Sequence, residues 1–359
     1  MQKNAQETII KNFMGMIEMI SFESDYIKGA HELILKRLLE TNNEALSGYG
    51  EDKYCLSAKE KIKKAVGRED AEVFLLTGGT QTNQIVIDTV LAAYEGVVCA
   101  NTGHINTHEA GAIEFTGHKV LTLPNAEGKV TAEAFKQLME DFNSDDGREH
   151  TVFPGMLYIS HPTEYGTLYT KAELTELSKL CKKYEIPLYI DGARLGYGIM
   201  SNGTDLSLKD IGELADIFYI GGTKVGALCG EAVVFTHKNA PKHFFTRIKQ
   251  HGALLAKGRL LGVQFDTLFT DDLYFKISRS AVEMADKMRT VFKEKGYKFF
   301  IETVTNQIFI VLDNDKMNEL SSNVLFSFWE KADSGHTVVR FASSWATTEE
   351  DVTKLAEYL

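Results

Sequence analysis

Short apolar runs alternate with amphipathic stretches along most of this chain, and this alternation constrains its fold more than any other feature. Seven runs have the length and composition of buried strands, at residues 72–76, 96–100, 119–123, 155–160, 186–191, 216–220 and 231–235. The stretches between several of them have helical periodicity, as in TKAELTELSKLCKKYE at residues 170–185, where a threonine precedes the first turn. Strands that alternate with helices predict an α/β fold with a mostly parallel sheet covered on both faces. Ligands of such sheets bind beyond the carboxyl ends of the strands, so functional residues are expected directly after these runs.

Composition and charge narrow the class of protein. The chain has 359 residues, of which 44% are hydrophobic and 25% charged, and these are ordinary values for a globular protein. Its net charge of -11, without a concentrated basic face, argues against a nucleic acid or an anionic membrane as partner. The apolar stretch IIKNFMGMIEMISF near the N-terminus contains Lys11 and Glu18 and is too short to span a bilayer.

The cysteines indicate the compartment. Cys55, Cys99, Cys181 and Cys229 are scattered along the chain and form no C-x-x-C pair, which is typical of reduced thiols. The N-terminal stretch also lacks a small-residue cleavage site, so we expect a cytoplasmic protein that is not secreted.

A turn with glycines and hydroxyls follows the first strand run. The sequence TGGTQTN at residues 77–83 leads into an apolar helix, and the backbone N–H groups of Gly78, Gly79 and Thr80 are suited to bind an anion there. A tight turn capped by Thr77 or Thr80 is the structural alternative. The stretch matches neither the nucleoside-triphosphate nor the dinucleotide motif, so a single phosphate is the ligand it favours.

Asp191 stands where the fifth run ends, in DGARLG. A carboxylate at the end of a buried strand is costly unless a cation pairs with it. Arg194 is one candidate partner, in which case the pair is structural. The alternative is that Asp191 pairs with the protonated ring nitrogen of a cofactor.

Lys224 follows the sixth run, in YIGGTKVGALCGEAVVF at residues 219–235. A phosphate turn, a strand-end aspartate and a strand-end lysine together suit pyridoxal phosphate. This cofactor needs an anion site, an acid that keeps its pyridinium protonated, and a lysine that holds its aldehyde as a Schiff base. The glycines around Lys224 are then expected to let the backbone approach the cofactor.

The loop NTGHINTHEAGA at residues 101–112 offers a histidine for the same site. His104 and His108 are four residues apart, with Glu109 adjacent, so both rings could ligate zinc from one helical face. No H-E-x-x-H motif and no third ligand accompany them, and we predict no metal site. An imidazole just past a strand end can instead stack on a pyridine ring and exchange protons, and His104 is preferred for this because it comes earlier in the loop.

Nine segments give the chain a family resemblance from about residue 20 to its end. It resembles the low-specificity L-threonine aldolases, which are fold-type-I pyridoxal-phosphate enzymes of the beta-eliminating lyase group. The matching segments, in family order, are FESDYIKGAH, YGEDKY, TGGTQTN, HINTHEAGA, PTEYGTLY, DGARLG, GGTKVGA, GALLAKGRLLG and VVRFASSWATTEEDV.

The resemblance implies a role for each matching residue. Lys224 would hold the cofactor as a Schiff base, Asp191 would pair with its ring nitrogen, Gly79 and Thr80 would hold its phosphate, and His104 would stack on its ring. Ser24, Arg194 and Arg340 would bind the amino-acid carboxylate, which suits the bidentate geometry of arginine. Taken alone, Arg340 in TVVRFAS would be interpreted as a surface strand residue. Tyr49 would be donated to the site by a neighbouring subunit.

Three features depart from the family pattern. Glu164, in HPTEYG, stands where many members have a histidine, and it could either contact the substrate hydroxyl with a raised pKa or be structural. Lys257 is the candidate substitute for an arginine that often reaches the neighbouring subunit's phosphate. About twenty residues precede the usual family start.

The resemblance also implies the architecture and the activity. We expect an N-terminal extension at residues 1–20, a large cofactor-binding domain at 21–245 with a seven-stranded sheet, and a small C-terminal α/β domain at 246–359. The expected reaction is cleavage of L-threonine, L-allo-threonine or related β-hydroxy amino acids to glycine and an aldehyde, in a homodimer or homotetramer. The alternatives are β-elimination or transamination on the same scaffold, and, more remotely, a non-catalytic nucleotide-binding module.

Overall fold

A computed structural model describes residues 19–359, so the predicted extension at 1–20 lies outside the described residues except for its last two positions. The helices are α1 (Glu32–Thr41), α2 (Lys53–Val66), α3 (Gly79–Val90), α4 (His104–Thr107), α5 (Ala112–Phe115), α6 (Ala132–Ser144), α7 (Lys171–Tyr184), α8 (Leu195–Met200), α9 (Leu208–Leu214), α10 (Phe244–Gln250), α11 (Arg259–Leu268), α12 (Leu273–Glu294), α13 (Asn314–Leu320) and α14 (Glu349–Tyr358). The strands are β1 (Ile20–Ser21), β2 (Glu72–Leu76), β3 (Glu95–Ala100), β4 (Val120–Leu123), β5 (Phe153–Ser160), β6 (Leu188–Asp191), β7 (Ile217–Gly221), β8 (Glu231–Phe235), β9 (Lys298–Ile301), β10 (Gln307–Asp313), β11 (Val324–Leu325), β12 (Ser327–Lys331) and β13 (His336–Ala342).

The seven predicted strand runs form one seven-stranded sheet in the order β2-β8-β7-β6-β5-β3-β4. Strand β8 is antiparallel to both of its neighbours, and the other adjacent pairs of the sheet are parallel. The carboxyl ends of β2, β3, β5, β6 and β7 therefore meet at one edge of the sheet, together with the amino end of β8. The predicted α/β class with a mostly parallel sheet is confirmed.

Helices cover both faces of this sheet because successive strand side chains point to opposite sides. On one face, α3 and α10 pack on strand residues such as Tyr158 and Tyr219. On the other face, helices that include α2, α7 and α11 pack on residues such as Ile159 and Ile220. The contacts between helices and sheet are apolar on both faces, and this packing fixes the strand ends relative to the helices that follow them.

The threonine at residue 170 starts α7 as predicted. Its hydroxyl accepts a hydrogen bond from Glu173 N at 3.2 Å, and Glu173 Oε2 accepts one from Thr170 N at 2.7 Å. This reciprocal pair satisfies two N–H groups at the helix start. Leu174, Leu177 and Cys181 then lie on the buried side of α7, which holds the helix against the sheet.

A second sheet of four antiparallel strands, in the order β12-β13-β10-β9, lies in the C-terminal part. Helix α12 joins the two parts, because Tyr274 and Ile277 pack in the core of the large sheet and Met288 and Phe292 pack in the core of the small one. Strand β1 pairs with β11, so the first described residues lie with the C-terminal part. The domain boundary at residues 245 and 246 stays a prediction.

From residue 19 onward, none of the helices combines the length and the apolar character that crossing a bilayer requires. The four cysteines are free thiols, of which Cys55, Cys99 and Cys181 are buried and Cys229 is partly exposed. Burial raises the pKa of the Cys55 thiol, so it behaves as a small apolar side chain at neutral pH.

Candidate active site

A cavity of about 120 Å³ lies at the edge of the large sheet where the strand ends meet. Its lining includes seven of the predicted site residues, which come from segments far apart in the chain: Gly79, Thr80, His104, Glu164, Asp191, Arg194 and Lys224. Folding therefore brings together the phosphate turn, the strand-end acid and the lysine that the sequence places after separate strands.

Helix α3 presents unobstructed N–H groups to this cavity. Its N-cap is Gly78, and no side chain caps the helix, so the structural alternative of a cap by Thr77 or Thr80 is wrong. Thr77 instead donates its hydroxyl to Gln81 Oε1 at 2.5 Å. Because no side chain caps the first turn, its N–H groups and the positive end of the helix dipole are available to an anion.

Asp191, the last residue of β6, is buried, and both of its carboxylate oxygens accept hydrogen bonds. Its Oδ2 accepts from Tyr158 OH at 2.6 Å and from Asn83 Nδ2 at 3.0 Å, and its Oδ1 accepts from Tyr219 OH at 2.6 Å. Burial raises the pKa of Asp191, but the charge of His104 and the tyrosine hydrogen bonds outweigh it and hold the pKa below its ordinary value. The cavity therefore has a permanent negative charge at its base.

Arg194 does not pair with Asp191, so the structural alternative considered for these two residues is wrong. It forms a two-pronged ion pair with Asp25, with Nε to Oδ2 at 2.6 Å and Nη2 to Oδ1 at 3.0 Å. Asp25 also accepts from Asn306 Nδ2 at 2.9 Å. Asp191 is consequently free of any arginine and can bind a cation that enters the cavity.

Lys224 follows β7 and points its amine toward the cavity. Within residues 19–359 no acceptor lies at hydrogen-bond or ion-pair distance from its Nζ, and the ring of Tyr26 is 5.7 Å away. Its own carbonyl accepts from Tyr197 OH at 2.5 Å, which fixes the backbone at this residue. A fixed backbone with an uncommitted amine is what covalent attachment to a carbonyl group requires.

The glycines before Lys224 serve protein packing. A Cβ on Gly221 would lie 2.2 Å from Ala193 O, and one on Gly222 would lie 2.7 Å from Gly230 O. Gly221 and Gly222 therefore make room for neighbouring backbone, and the expectation that the glycines around Lys224 let the backbone approach a cofactor stays a prediction. The result is a tightly packed turn below Lys224.

His104 is the first residue of α4 and pairs with a buried acid. Its Nδ1 lies 2.7 Å from Glu109 Oε1, which also accepts from Asn83 Nδ2 at 2.7 Å. Burial lowers the pKa of His104, but the hydrogen bond to Glu109 and the charge of Asp191 outweigh it and raise the pKa above its ordinary value. The sequence indicated Glu109 only as a neighbour of His108, and Asn83 only as the last residue of the turn motif TGGTQTN, with no role assigned to either.

His108 lies beside His104, with ring centroids 5.7 Å apart. Over residues 19–359, no group of three or more His, Cys, Asp or Glu side chains is arranged to hold a metal ion. The zinc alternative for this pair of histidines therefore gains no support from the geometry.

Glu164 is buried beside His104 and Ser160. Its Oε1 accepts from Ser160 Oγ at 2.6 Å and from His104 N at 2.8 Å. Burial raises the pKa of Glu164, and the hydrogen bond from Ser160 opposes that rise only in part. The carboxyl group is thus suited to exchange a proton within the cavity.

Arg340 lies on β13, near Arg194. Its guanidinium donates to Gln307 Oε1, Glu23 O and Ser327 Oγ, each at 3.2 Å, and its buried Nε has no partner among the described residues. Burial and the nearby charge of Arg194 lower the pKa of Arg340 to about 10, which leaves it charged at neutral pH. Ser24 Oγ is likewise buried without a described partner, so Arg340 Nε and Ser24 Oγ are both unsatisfied donors.

Tyr49 and Lys257 do not line the cavity. Tyr49 is 45% exposed with Lys249 Nζ over its ring at 4.6 Å, and Lys257 lies in a separate surface groove with Arg259. Their predicted roles concern a neighbouring subunit and stay predictions.

Comparison with known proteins identifies the family. The sequence profile of the beta-eliminating lyases matches residues 22–315. The chain belongs to this family. The chain is 28% identical over 341 residues to the low specificity L-threonine aldolase of Pseudomonas sp. (strain NCIMB 10558), and the match covers 93% of this chain and 95% of that one.

Solved structures agree with this assignment. The threonine aldolase of Leishmania major is 38% identical, with a TM-score of 0.91, and the match covers 94% of this chain and 98% of that one. An aspartate aminotransferase of Thermus thermophilus is 14% identical with a TM-score of 0.69 over 99% of this chain and 94% of that one, which shows a shared fold only. The predicted resemblance to threonine aldolases and the fold-type-I architecture are confirmed.

Proposed function

We propose that this protein cleaves L-threonine, L-allo-threonine and related β-hydroxy amino acids to glycine and an aldehyde, with pyridoxal phosphate as cofactor. The observation that carries the proposal is the single cavity shared by the uncapped start of α3, the buried Asp191 carboxylate and the uncommitted amine of Lys224. The threonine aldolase activity named for its relatives supports the choice of reaction.

The residues present fit this cofactor. Gly78, Gly79 and Thr80 would hold its phosphate on the first turn of α3, as a helix N-terminus favours an anion. Asp191 would pair with its ring nitrogen, and Lys224 would bind its aldehyde carbon. When bound, the cofactor supplies an electron sink for the bond that breaks at the α-carbon. Asp191 stays ionised and so favours that role.

Arginine and serine side chains would bind the substrate carboxylate. Arg340 forms no ion pair with a described carboxylate, and Ser24 Oγ is an unsatisfied donor. The charge of Arg194 is already balanced by Asp25, so we assign to Arg194 a hydrogen-bonding role and to Arg340 the charge that selects an amino-acid carboxylate.

Glu164 would accept the proton of the substrate β-hydroxyl. As the bond between the α- and β-carbons breaks, the β-carbon leaves as an aldehyde, and return of a proton to the α-carbon gives glycine. The raised pKa of Glu164 suits both steps, because burial makes its carboxylate a stronger proton acceptor than an exposed one. His104, held by Glu109, would lie against the cofactor ring.

The alternatives on this scaffold are β-elimination and transamination of a different amino acid. Neither is favoured by the relatives named as threonine aldolases. They differ in products, since elimination releases ammonia and a keto acid, whereas aldol cleavage releases glycine and an aldehyde.

A homodimer or homotetramer is the proposed assembly. Apolar side chains on α1 and α2 are exposed in the single chain, with Leu39 at 78% and Leu56 at 53%, and Tyr49 lies in the loop between these two helices. A second copy of this chain would cover such a surface. The free cysteines support a reducing compartment, and we propose the cytoplasm.

Covalent trapping tests the cofactor assignment. The Lys224 amine condenses with the aldehyde of pyridoxal phosphate with loss of water, and borohydride reduces the new carbon–nitrogen double bond to a stable amine. We expect peptide mapping of the reduced chain to find the cofactor mass on Lys224, and Lys224→Ala to carry none. Labelling that is spread over surface lysines at equal levels in both proteins would contradict the proposal.

A further inference from the structure

Glu231 is a buried acid beside the cavity to which the proposed mechanism assigns no role. It begins β8, the antiparallel strand, and therefore lies at the sheet edge where the cavity opens. Its side chain is buried beneath the turn that carries Lys224. Oε2 accepts from Gly222 N at 3.0 Å, and Oε1 accepts from Thr223 Oγ1 at 2.8 Å.

These contacts close a small network around the turn. Thr223 Oγ1 also accepts from Gly230 N at 3.0 Å, and Gly222 N and Thr223 N both donate to Gly230 O, at 2.9 and 3.1 Å. The residues immediately before Lys224 are therefore fixed by Glu231, and the carbonyl of Lys224 itself is fixed by Tyr197. The backbone is held on both sides of the Lys224 α-carbon.

We propose that Glu231 is a positioning residue, whose carboxylate holds Gly222 and Thr223 so that the next side chain directs its amine into the cavity. The inference rests on the proposed function, because it explains how Lys224 is aimed at a carbonyl group. The charge of the Glu231 carboxylate matters as well, since an ionised acceptor forms a stronger hydrogen bond than a neutral one.

Burial raises the pKa of Glu231 to about 7, and the charge of Lys224 opposes the rise. The other titratable groups that face Glu231 are Asp191, Tyr189, Tyr219, Tyr274 and Cys229. Burial raises the pKa of each of these tyrosines and of Cys229, and Asp191 has a lowered pKa, so none of the five changes its charge near pH 7.

The test compares Glu231→Gln with Glu95→Gln, a control whose carboxylate accepts from Ala92 N at 2.7 Å at the opposite edge of the sheet. Cofactor-free protein is mixed with pyridoxal phosphate, quenched with borohydride at timed points, and mapped for Lys224. At pH 8 we expect trapping about tenfold slower in Glu231→Gln, the effect of weakening hydrogen bonds to a charged group, and no change in Glu95→Gln.

A second measurement separates positioning from general damage. Non-covalent binding of pyridoxal phosphate is measured in Lys224→Ala with and without Glu231→Gln, and we expect equal affinities. Thr223→Val, which removes the hydroxyl that donates to Glu231 Oε1, should slow trapping as well, and the double variant should be no slower than the worse single one.

The pH dependence gives a third criterion. Because glutamine mimics the protonated acid, the ratio of the wild-type to the Glu231→Gln trapping rate should fall toward one below about pH 6. Equal trapping rates of wild type and Glu231→Gln at pH 8, or weaker non-covalent binding of pyridoxal phosphate caused by Glu231→Gln, would overturn this inference but leave the proposed function standing. Absence of trapping on Lys224 in the wild type would overturn the proposed function as well.

Discussion

Replacing one partner of the ion pair between Asp25 and Arg194 should strongly destabilise the fold. Both side chains are sequestered, with Asp25 at 0% and Arg194 at 14% side-chain exposure, and two hydrogen bonds join them. Asp25→Asn keeps the size but leaves the guanidinium buried without a counter-ion. Removing one partner of such a pair costs roughly 3–5 kcal/mol, and we expect about 3 kcal/mol because asparagine retains one acceptor oxygen.

Denaturant unfolding of the cofactor-free protein, followed by tryptophan fluorescence, measures this loss. Glu349→Gln is the matched control, because it breaks the exposed pair between Lys287 and Glu349 and should leave the midpoint nearly unchanged. A loss below about 1 kcal/mol for Asp25→Asn would refute the reasoning, since the pair would then behave like a surface one.

The pH dependence of this loss has a defined sign. Burial raises the pKa of Asp25, but the Arg194 guanidinium outweighs it, and the folded pKa lies below the ordinary value. The contribution of the carboxylate is therefore fully present above the unfolded pKa of about 4 and is lost as pH falls through the folded one. The difference between wild type and Asp25→Asn should stay constant from about pH 5 to 8 and shrink only in stronger acid.

Two further predictions concern proton handling in the cavity. Glu164→Gln should lower turnover about 10²- to 10³-fold while trapping on Lys224 persists, and turnover within a factor of about three of wild type would rule out Glu164 as the proton acceptor. Glu109→Gln should lower the pKa of His104, because the charged partner that opposes the effect of burial on this pKa is removed. An NMR titration of the His104 imidazole in cofactor-free protein would measure the lowered pKa. A raised histidine pKa stabilises the fold fully below the unfolded pKa of about 6.5, and this gain is lost as pH rises through the folded pKa, so wild type should lose more stability than Glu109→Gln as pH rises above about 6.5.

The sequence predicted which functional residues follow directly after strands, because the patterns that mark a strand, a turn and a helix are local. A strand run, a turn and a following helix can be identified within one short stretch, and Lys224 and Asp191 each stand directly after such a run. The rule that ligands bind at strand carboxyl ends then placed them at one edge. The cavity therefore contains residues that lie in separate segments of the sequence.

Contacts between distant segments could not be predicted in the same way. Asp191 was considered as the ion-pair partner of Arg194 because the two residues are close in sequence. In the fold, Arg194 pairs with Asp25, which is 169 residues away along the chain. Glu231 was overlooked because it lies at the amino end of an antiparallel strand, which the carboxyl-end rule does not cover.

The glycines before Lys224 illustrate a third limit. Their presence correctly indicated a close approach, but which atoms approach depends on tertiary packing, and these atoms are protein carbonyl oxygens. Likewise, hydroxyl residues beside α3 suggested a cap, while Thr77 is engaged by Gln81 and the helix starts at glycine.

Product analysis with L-threonine is the most direct test of the central claim. The purified chain is supplied with pyridoxal phosphate and L-threonine, and glycine, acetaldehyde, ammonia and keto acid are quantified over time. The account predicts glycine and acetaldehyde in equal amounts from wild type and neither from Lys224→Ala. Ammonia with a keto acid as the main products, or equal turnover by Lys224→Ala, would contradict it.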